Sequence, residues 1–168
     1  GEAPAKRREC TADLSVAASI PDRYVPSPEQ RMDLYRRIAR IRTSEDADDM
    51  TDELIDRFGD PPRTVNNLIS VALLRGRAAD CAISDISQKG MSILFTLDEF
   101  DLEHISQAAG LFPGRVLFSP GDKAVLTLKL KKGEDPLRMA SKLVESYQAL
   151  IPPEAAKSPG PEGGGGKD

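Results

Sequence analysis

The sequence predicts an α+β domain in which an N-terminal helical layer packs with a small antiparallel or mixed sheet. Apolar residues recur at helical spacing through the first half of the chain, whereas apolar and polar residues alternate over residues 124–130. Proline and glycine stand where helices and turns are expected to begin or end. Helices first and strands later are typical of the α+β class.

The folded domain is expected to span residues 14–151. Residues 1–13 form a mixed-charge leader, and residues 152–168 form a tail rich in proline and glycine. Both ends are expected to be disordered, because they offer too little apolar surface to offset the entropy of ordering. The net charge of −4 argues against a protein that binds duplex DNA by charge alone.

The first half is expected to contain one strand and three helices. An apolar run predicts a strand over residues 14–20. Helices are predicted over residues 28–42, residues 44–58 and residues 60–79, and Gly59 is a candidate left-handed C-cap of the second helix. The expected N-caps are Ser27, Ser44 and Asp60. The expected buried residues are Leu34, Ile38, Ile41, Ala47, Met50, Leu54, Phe58, Val65, Leu68, Ile69, Ala72 and Leu73.

The second half changes to a strand-rich pattern. Strands are predicted over residues 91–97, 115–118 and 123–130, with a type II turn at Pro120-Gly121. A short helix over residues 101–109, closed by Gly110, lies between the first two strands. A final helix opens at Asp135-Pro136. Its expected inward residues are Leu137, Ala140, Leu143, Val144 and Tyr147.

Several functional classes lack their sequence signals. The chain has no GxxxxGK[ST] phosphate loop and no HExxH or CxxC metal spacing. Its one histidine, His104, is expected on a helix surface, and Cys10 and Cys81 suggest a reduced, cytoplasmic setting. No run of ~18 apolar residues predicts a membrane span. We therefore expect no catalytic site, metal or cofactor.

The second predicted helix carries four acidic residues opposite its apolar stripe: Asp49, Asp52, Glu53 and Asp56. We expect Glu53 and Asp56 to be exposed, and negative charge near a helix C-terminus costs roughly 0.3–1 kcal/mol per residue. Arg57, the basic first helix or a basic partner surface would offset it. A solvated face is the simplest alternative, and an acid–base pair is disfavoured because Trp is absent and aromatics are 5%.

The first predicted helix is rich in arginine. Its basic residues are Arg31, Arg36, Arg37, Arg40 and Arg42. They would contact either phosphates or the acidic second helix across a helical hairpin. We prefer the hairpin pairing, because no aromatic residues interleave with these arginines to stack bases.

Three stretches resemble the C-terminal domain of the transcription-repair coupling factor, the Mfd family. They read IPDRYVPSPEQRMDLYRRIA over residues 20–39, ELIDRFGDPP over residues 53–62 and NLISVALLR over residues 67–75. The Asp-Arg-Phe-Gly sequence followed by proline is the most specific of them. One departure is Ala82, where many relatives carry glycine; it casts doubt on a left-handed cap after the third helix.

The resemblance implies a non-catalytic regulatory domain of an ATP-driven DNA translocase that releases stalled RNA polymerase and recruits UvrA. In the family this domain packs on the UvrA-binding N-terminal module of the same protein, masks its surface and restrains the motor. Glu53 and Asp56 would pair with arginines of that module. UvrA, RNA polymerase and DNA would then be indirect partners, and the isolated domain would be a monomer. The alternatives are an accessory nucleic-acid-binding domain that uses the Arg-rich first helix, or a purely structural end-cap.

Overall fold

The computed structural model describes residues 8–152 and shows five helices and a five-stranded mixed sheet among them. The predicted α+β class is therefore confirmed. The predictions for residues 1–7 and 153–168 fall outside the described residues. In chain order the elements are β1 (Thr11–Asp13), α1 (Pro28–Ile38), α2 (Ser44–Phe58), α3 (Arg63–Asp80), β2 (Ile83–Lys89), β3 (Ser92–Leu97), α4 (Leu102–Gly110), β4 (Val116–Ser119), β5 (Ala124–Lys129) and α5 (Pro136–Leu150).

The sheet has the strand order β1-β2-β3-β5-β4, in which only the β1–β2 pair is parallel. The strand predicted over residues 14–20 is wrong, because the first strand is Thr11–Asp13 within the expected leader. Residues 14–27, which include two prolines, form turns and bends but no helix or strand.

Strand β2 was not predicted from the sequence. Its apolar residues Ile83 and Ile86 are three positions apart, which breaks the alternation typical of a strand. Both are nonetheless buried, because the register against β3 shifts between Ile83 and Asp85. One extra residue in a β-bulge changes which side chains face the core.

Two helix starts differ from the predictions. Ser27 caps α1 as expected, but α2 is capped by Thr43 rather than Ser44, through a capping box with Asp46. The predicted Asp60 cap is also wrong: α3 begins at Arg63 after Pro62, without a side-chain cap hydrogen bond.

Helix and turn ends differ as well. Helix α1 ends at Ile38, before the predicted residue 42. Gly59 has the expected positive φ of 85°, but its ψ of −173° lies outside the left-handed helical region. Gly110 belongs to α4, whose C-cap is Leu111. Gly121 has φ of 158°, far from the about +80° of the predicted type II turn.

Ala82 adopts the left-handed conformation, although alanine in place of glycine had cast doubt on it. Its φ is 63°, and it is the one non-glycine residue with positive φ among residues 8–152. Its N–H donates to Ala79 O at 3.1 Å, while its carbonyl accepts from Asp98 N at 2.8 Å. These two hydrogen bonds hold the α3–β2 junction, although a left-handed alanine costs roughly 1–2 kcal/mol.

Helix α3 joins two hydrophobic cores. Its first half packs Val65, Ile69 and Ala72 with α1 and α2, whereas Leu74 and Ala78 pack with α5 and the sheet. Every residue predicted to face inward is buried or partly buried; Phe58, Leu68 and Leu73 are the partly buried ones. No helix among residues 8–152 combines the length and apolar character needed to cross a bilayer.

Candidate protein-interaction surface

Helix α2 separates a buried side from an acidic side, as its sequence predicts. Ala47, Met50 and Leu54 are buried in the core shared with α1 and α3. The capping box fixes the first turn, and Gly59 ends the helix with its N–H donating to Ile55 O at 3.0 Å. Because the apolar side of α2 is buried, its acidic side points away from the core.

The exposed acidic side is larger than the sequence reasoning predicted. Asp49, Asp52 and Asp56 are exposed, as expected, and Glu45 and Asp48 on the same helix are exposed as well. We call these five residues the α2 acidic surface. Among residues 8–152, no ion pair or side-chain hydrogen bond involves any of the five. None of these five charges is therefore neutralised by a direct contact within the described part of the chain.

Glu53 does not belong to this unpaired set, so the expectation of an exposed side chain was wrong. Its side chain is 32% exposed and lies between Arg37 and Arg57. Arg37 Nη1 donates to Glu53 Oε2 at 2.8 Å, and Arg37 Nη2 donates to Oε1. Arg57 Nη1 donates to Oε2 at 2.7 Å. These hydrogen bonds, that from Arg37 foremost, lower the pKa of Glu53 to about 2.

Three of the five arginines in and after the first helix form ion pairs or hydrogen bonds within the domain. Arg37 pairs with Glu53 across the helical hairpin, which is the pairing we preferred from the sequence. Arg31 donates to Val25 O at 2.8 Å and to Pro26 O at 3.0 Å. Arg42, which follows the helix, pairs with Asp80 at 3.3 Å.

Two arginines of the basic set remain available. Arg36 and Arg40 are exposed and form no ion pair with another residue in 8–152. The nucleic-acid alternative therefore depends on two of the five arginines that suggested it. The other three hold local structure.

Ile55 is a feature of this surface that the sequence reasoning missed. It is 44% exposed and lies one helical turn after Asp52. An isoleucine outside the apolar stripe of a helix was the available signal. The surface thus combines unpaired carboxylates with one exposed apolar side chain.

The two cysteines and the single histidine are packed within or against the fold. Cys10 and Cys81 are buried and free, and burial raises the pKa of each thiol to about 12. His104 is half-buried, with its ring 6.5 Å from the ring of Tyr147. Within residues 8–152 no three His, Cys, Asp or Glu side chains are grouped to hold a metal ion.

Comparison with known sequences assigns most of the described chain to one family. Residues 14–107 match a sequence model of the TRCF domain. The transcription-repair-coupling factor of Bacillus subtilis (strain 168) is 30% identical over 115 residues, which cover 68% of this chain. That of Staphylococcus haemolyticus (strain JCSC1435) is 28% identical over 142 residues, or 84% of this chain. The chain spans 9% and 11% of the lengths of these two relatives.

A solved structure has the same fold. It is the crystal structure of the C-terminal domain of transcription-repair coupling factor, which superposes with a TM-score of 0.77. The superposition covers 86% of this chain and 96% of that one, at 18% sequence identity. At that identity the likeness shows a shared fold alone.

Proposed function

This chain belongs to the TRCF domain family, the C-terminal domain of transcription-repair coupling factor, and we propose that it acts as a non-catalytic interaction domain. In the whole protein it packs on the UvrA-binding N-terminal module. It thereby masks the surface that UvrA uses and restrains the motor until RNA polymerase is engaged. UvrA and RNA polymerase are thus indirect partners of this domain, and DNA is reached through the parent motor.

The observation that carries this proposal is the α2 acidic surface. Asp49, Asp52 and Asp56 are exposed and have no partner among the described residues. Asp52 and Asp56 lie in the last two turns of α2, where the helix dipole disfavours negative charge. A basic partner surface would relieve that cost. Arginine suits this role best because its planar guanidinium donates two parallel hydrogen bonds to one carboxylate.

Ile55 supplies the apolar contact of the proposed interface. Binding energy concentrates in side chains that become fully desolvated at the centre of an interface, with polar residues around them. Ile55 is 44% exposed, and Asp52 lies one helical turn before it. Burying it beneath a partner would exclude water from the neighbouring ion pairs and strengthen them.

In this proposal Glu53 orients helix α2 and does not pair directly with the partner. Both of its oxygens already accept hydrogen bonds from Arg37 or Arg57, so it has less capacity for a further arginine than Asp56 has. Its bidentate contact with Arg37 ties α2 to α1. We therefore assign direct pairing to Asp49, Asp52 and Asp56, and assign to Glu53 the orientation of the helix that presents them.

A binding assay between this chain and the N-terminal UvrA-binding module of the same protein tests the proposal. The variant Asp52→Asn with Asp56→Asn removes two charges without changing side-chain shape, and we expect roughly tenfold to hundredfold weaker binding. Asp122→Asn is the matched control, because Asp122 is exposed in the β4–β5 loop, outside α2. Equal affinities for the wild type and the double variant would rule out this surface.

A second candidate function is accessory nucleic-acid binding. Arg36 and Arg40 favour it, because both are exposed and unpaired within residues 8–152. A titration of the chain with duplex DNA at increasing salt decides between the two functions. Binding that weakens steeply with salt supports the nucleic-acid function, since released counterions then dominate the affinity.

A further inference from the structure

A cavity of about 360 Å³ lies where the segment after α1 meets helix α3. Three arginines from two parts of the chain line it: Arg40 and Arg42 from that segment, and Arg75 from α3. Glu9 is the one acidic residue among the described residues that line it. The lining therefore carries an excess of positive charge, in a protein whose net charge is −4.

Gly76 allows the two parts to come together. A Cβ atom at this position would lie 2.9 Å from Arg42 Cα and 3.2 Å from Ile41 O. A Cβ contact of 2.9 Å with a backbone atom would force a shift, so the backbone of residues 41–42 can lie directly on α3 because residue 76 is glycine. The close approach brings Arg42 and Arg75 to the same cavity.

The arginines retain unused hydrogen-bond donors. Arg75 Nε donates to Cys10 O at 3.0 Å, but its two Nη atoms have no hydrogen-bond partner among the described residues. Arg42 donates to Arg8 O and pairs with Asp80, both at 3.3 Å. Its Nε is buried without a partner. The two Nη groups of Arg75 are therefore the donors that these two arginines leave free for a ligand, whereas Arg42 Nε is enclosed by protein atoms.

Arg40 completes the set. It is exposed, and its side chain makes no ion pair or hydrogen bond with a residue in 8–152. Glu9 is likewise exposed and forms no ion pair with another described residue, so it does not neutralise the arginines through a direct contact. One side of the cavity therefore offers a guanidinium that requires no rearrangement of the fold in order to bind an anion.

We propose that this cavity binds a phosphate group. A phosphate presents three or four oxygens around one centre, which matches donors arriving from three guanidiniums better than the two oxygens of a carboxylate do. No aromatic side chain lines the cavity, so a base would not be held by stacking. The cavity is larger than a phosphate group and leaves room for whatever the phosphate is attached to. This proposal does not depend on the α2 acidic surface.

The test is a titration of the ¹⁵N-labelled 168-residue chain with sodium phosphate, followed by NMR at constant ionic strength set with sodium chloride. We expect saturable shifts of the amides of Ile41, Arg42 and Gly76. Arg40→Gln and Arg75→Gln should each weaken binding roughly tenfold, the loss expected for one charge-assisted hydrogen bond. Arg36→Gln is the control, because Arg36 is exposed on α1 and does not line the cavity.

The outcomes separate the possible ligands. A single-stranded oligonucleotide that binds more tightly than phosphate, through the same residues, assigns the site to a nucleic-acid backbone; equal affinities assign it to a small phosphate compound. Arg75→Gln also loses the contact with Cys10, so Arg40→Gln, which removes no internal contact, is the decisive variant. Shifts that stay linear in phosphate, or that Arg36→Gln weakens as much as Arg40→Gln does, overturn the proposal. So does equal binding of a poly-glutamate peptide.

Discussion

Arg37 on α1 donates one hydrogen bond to each carboxylate oxygen of Glu53 on α2. The pair joins two helices that also share a hydrophobic core and are connected by residues 39–43. Arg57, one turn further along α2, donates to the same carboxylate. Arg37 also pairs with Asp33 at 3.8 Å, so Glu53 belongs to a four-residue ion network. Its sequence pattern nevertheless places Glu53 with the solvent-facing acids.

This network predicts that Glu53 stabilises the fold. Glu53→Ala should lower the free energy of unfolding by about 1–2 kcal/mol, because a bidentate, half-buried ion pair contributes more than an exposed one. Asp56→Ala should change it by less than about 0.5 kcal/mol, since Asp56 is exposed and unpaired within residues 8–152. Urea denaturation of the two variants measures both values. Equal stabilities of the two variants would show that the network contributes nothing.

The pH dependence of stability should follow from the same carboxylate. The hydrogen bond from Arg37, followed by that from Arg57, lowers the pKa of Glu53 to about 2 in the folded state, against about 4.3 in the unfolded chain. A lowered folded pKa gives stability that is complete above the unfolded pKa and is lost as the pH falls towards the folded one. Between about pH 5.5 and about pH 2, the wild type should lose about 1–2 kcal/mol more than Glu53→Gln does.

A second carboxylate with a lowered pKa, Glu134, does not affect that comparison. Its pKa is also lowered, first by the backbone N–H of Lys131 and then by Arg115. Because Glu134 is present in both proteins, its titration cancels in the difference between wild type and Glu53→Gln. Parallel pH profiles for the two proteins would contradict the assigned role of Glu53.

Ala82 provides a stabilising substitution. Glycine at this position should raise the free energy of unfolding by about 0.5–1 kcal/mol, because relief of the left-handed strain exceeds the added entropy of the unfolded chain. Ala149→Gly is the control, since Ala149 is an exposed residue inside α5. Thermal unfolding should move in opposite directions for the two variants. A loss of stability in Ala82→Gly would mean that the alanine side chain makes contacts worth more than its strain.

At Gly76 the opposite substitution, glycine to alanine, should be destabilising. Gly76→Ala should destabilise the domain by about 1–3 kcal/mol, because the new Cβ would lie 2.9 Å from Arg42 Cα, a backbone atom that side-chain rotation cannot move. Gly110→Ala is matched to it: Gly110 is also helical, and its added Cβ would meet nothing within 4 Å. The second variant should be as stable as the wild type or more so. Similar melting temperatures for the two variants would show that residues 41–42 move aside readily.

The proposed masking function makes a prediction for the whole protein. Asp52→Asn with Asp56→Asn should raise UvrA binding in the absence of RNA polymerase, because a weakened closed state competes less for the shared surface. Loss of two charge-assisted pairs would reduce the coupling by about 1.4–2.8 kcal/mol, which corresponds to the tenfold to hundredfold weaker binding expected of the separate modules. The affinity of full-length protein for UvrA measures it, with melting of the isolated chain as the folding control. Unchanged UvrA affinity in a folded variant would place the contact on another surface.

The sequence by itself determined the features that depend on local spacing. The bounds of α2 and its acidic side follow from an apolar residue every three or four positions and from Gly59 at its end. The buried side of α5 and the alternation in β5 follow in the same way. The resemblance carried by residues 53–62 indicated the family because a motif is a local pattern.

The tertiary structure alone decided which charges are paired, because an ion pair depends on two segments that meet in space. Glu53 and Asp56 are equivalent in sequence pattern, yet only Glu53 lies opposite Arg37. The bulge that turns both isoleucines of β2 inward is visible only against β3. Likewise, Gly76 looks like an unfavourable residue in a helix until the backbone of Arg42 is seen to rest on it. In each case the deciding free energy comes from a partner far away in the chain, so local spacing carries no record of it.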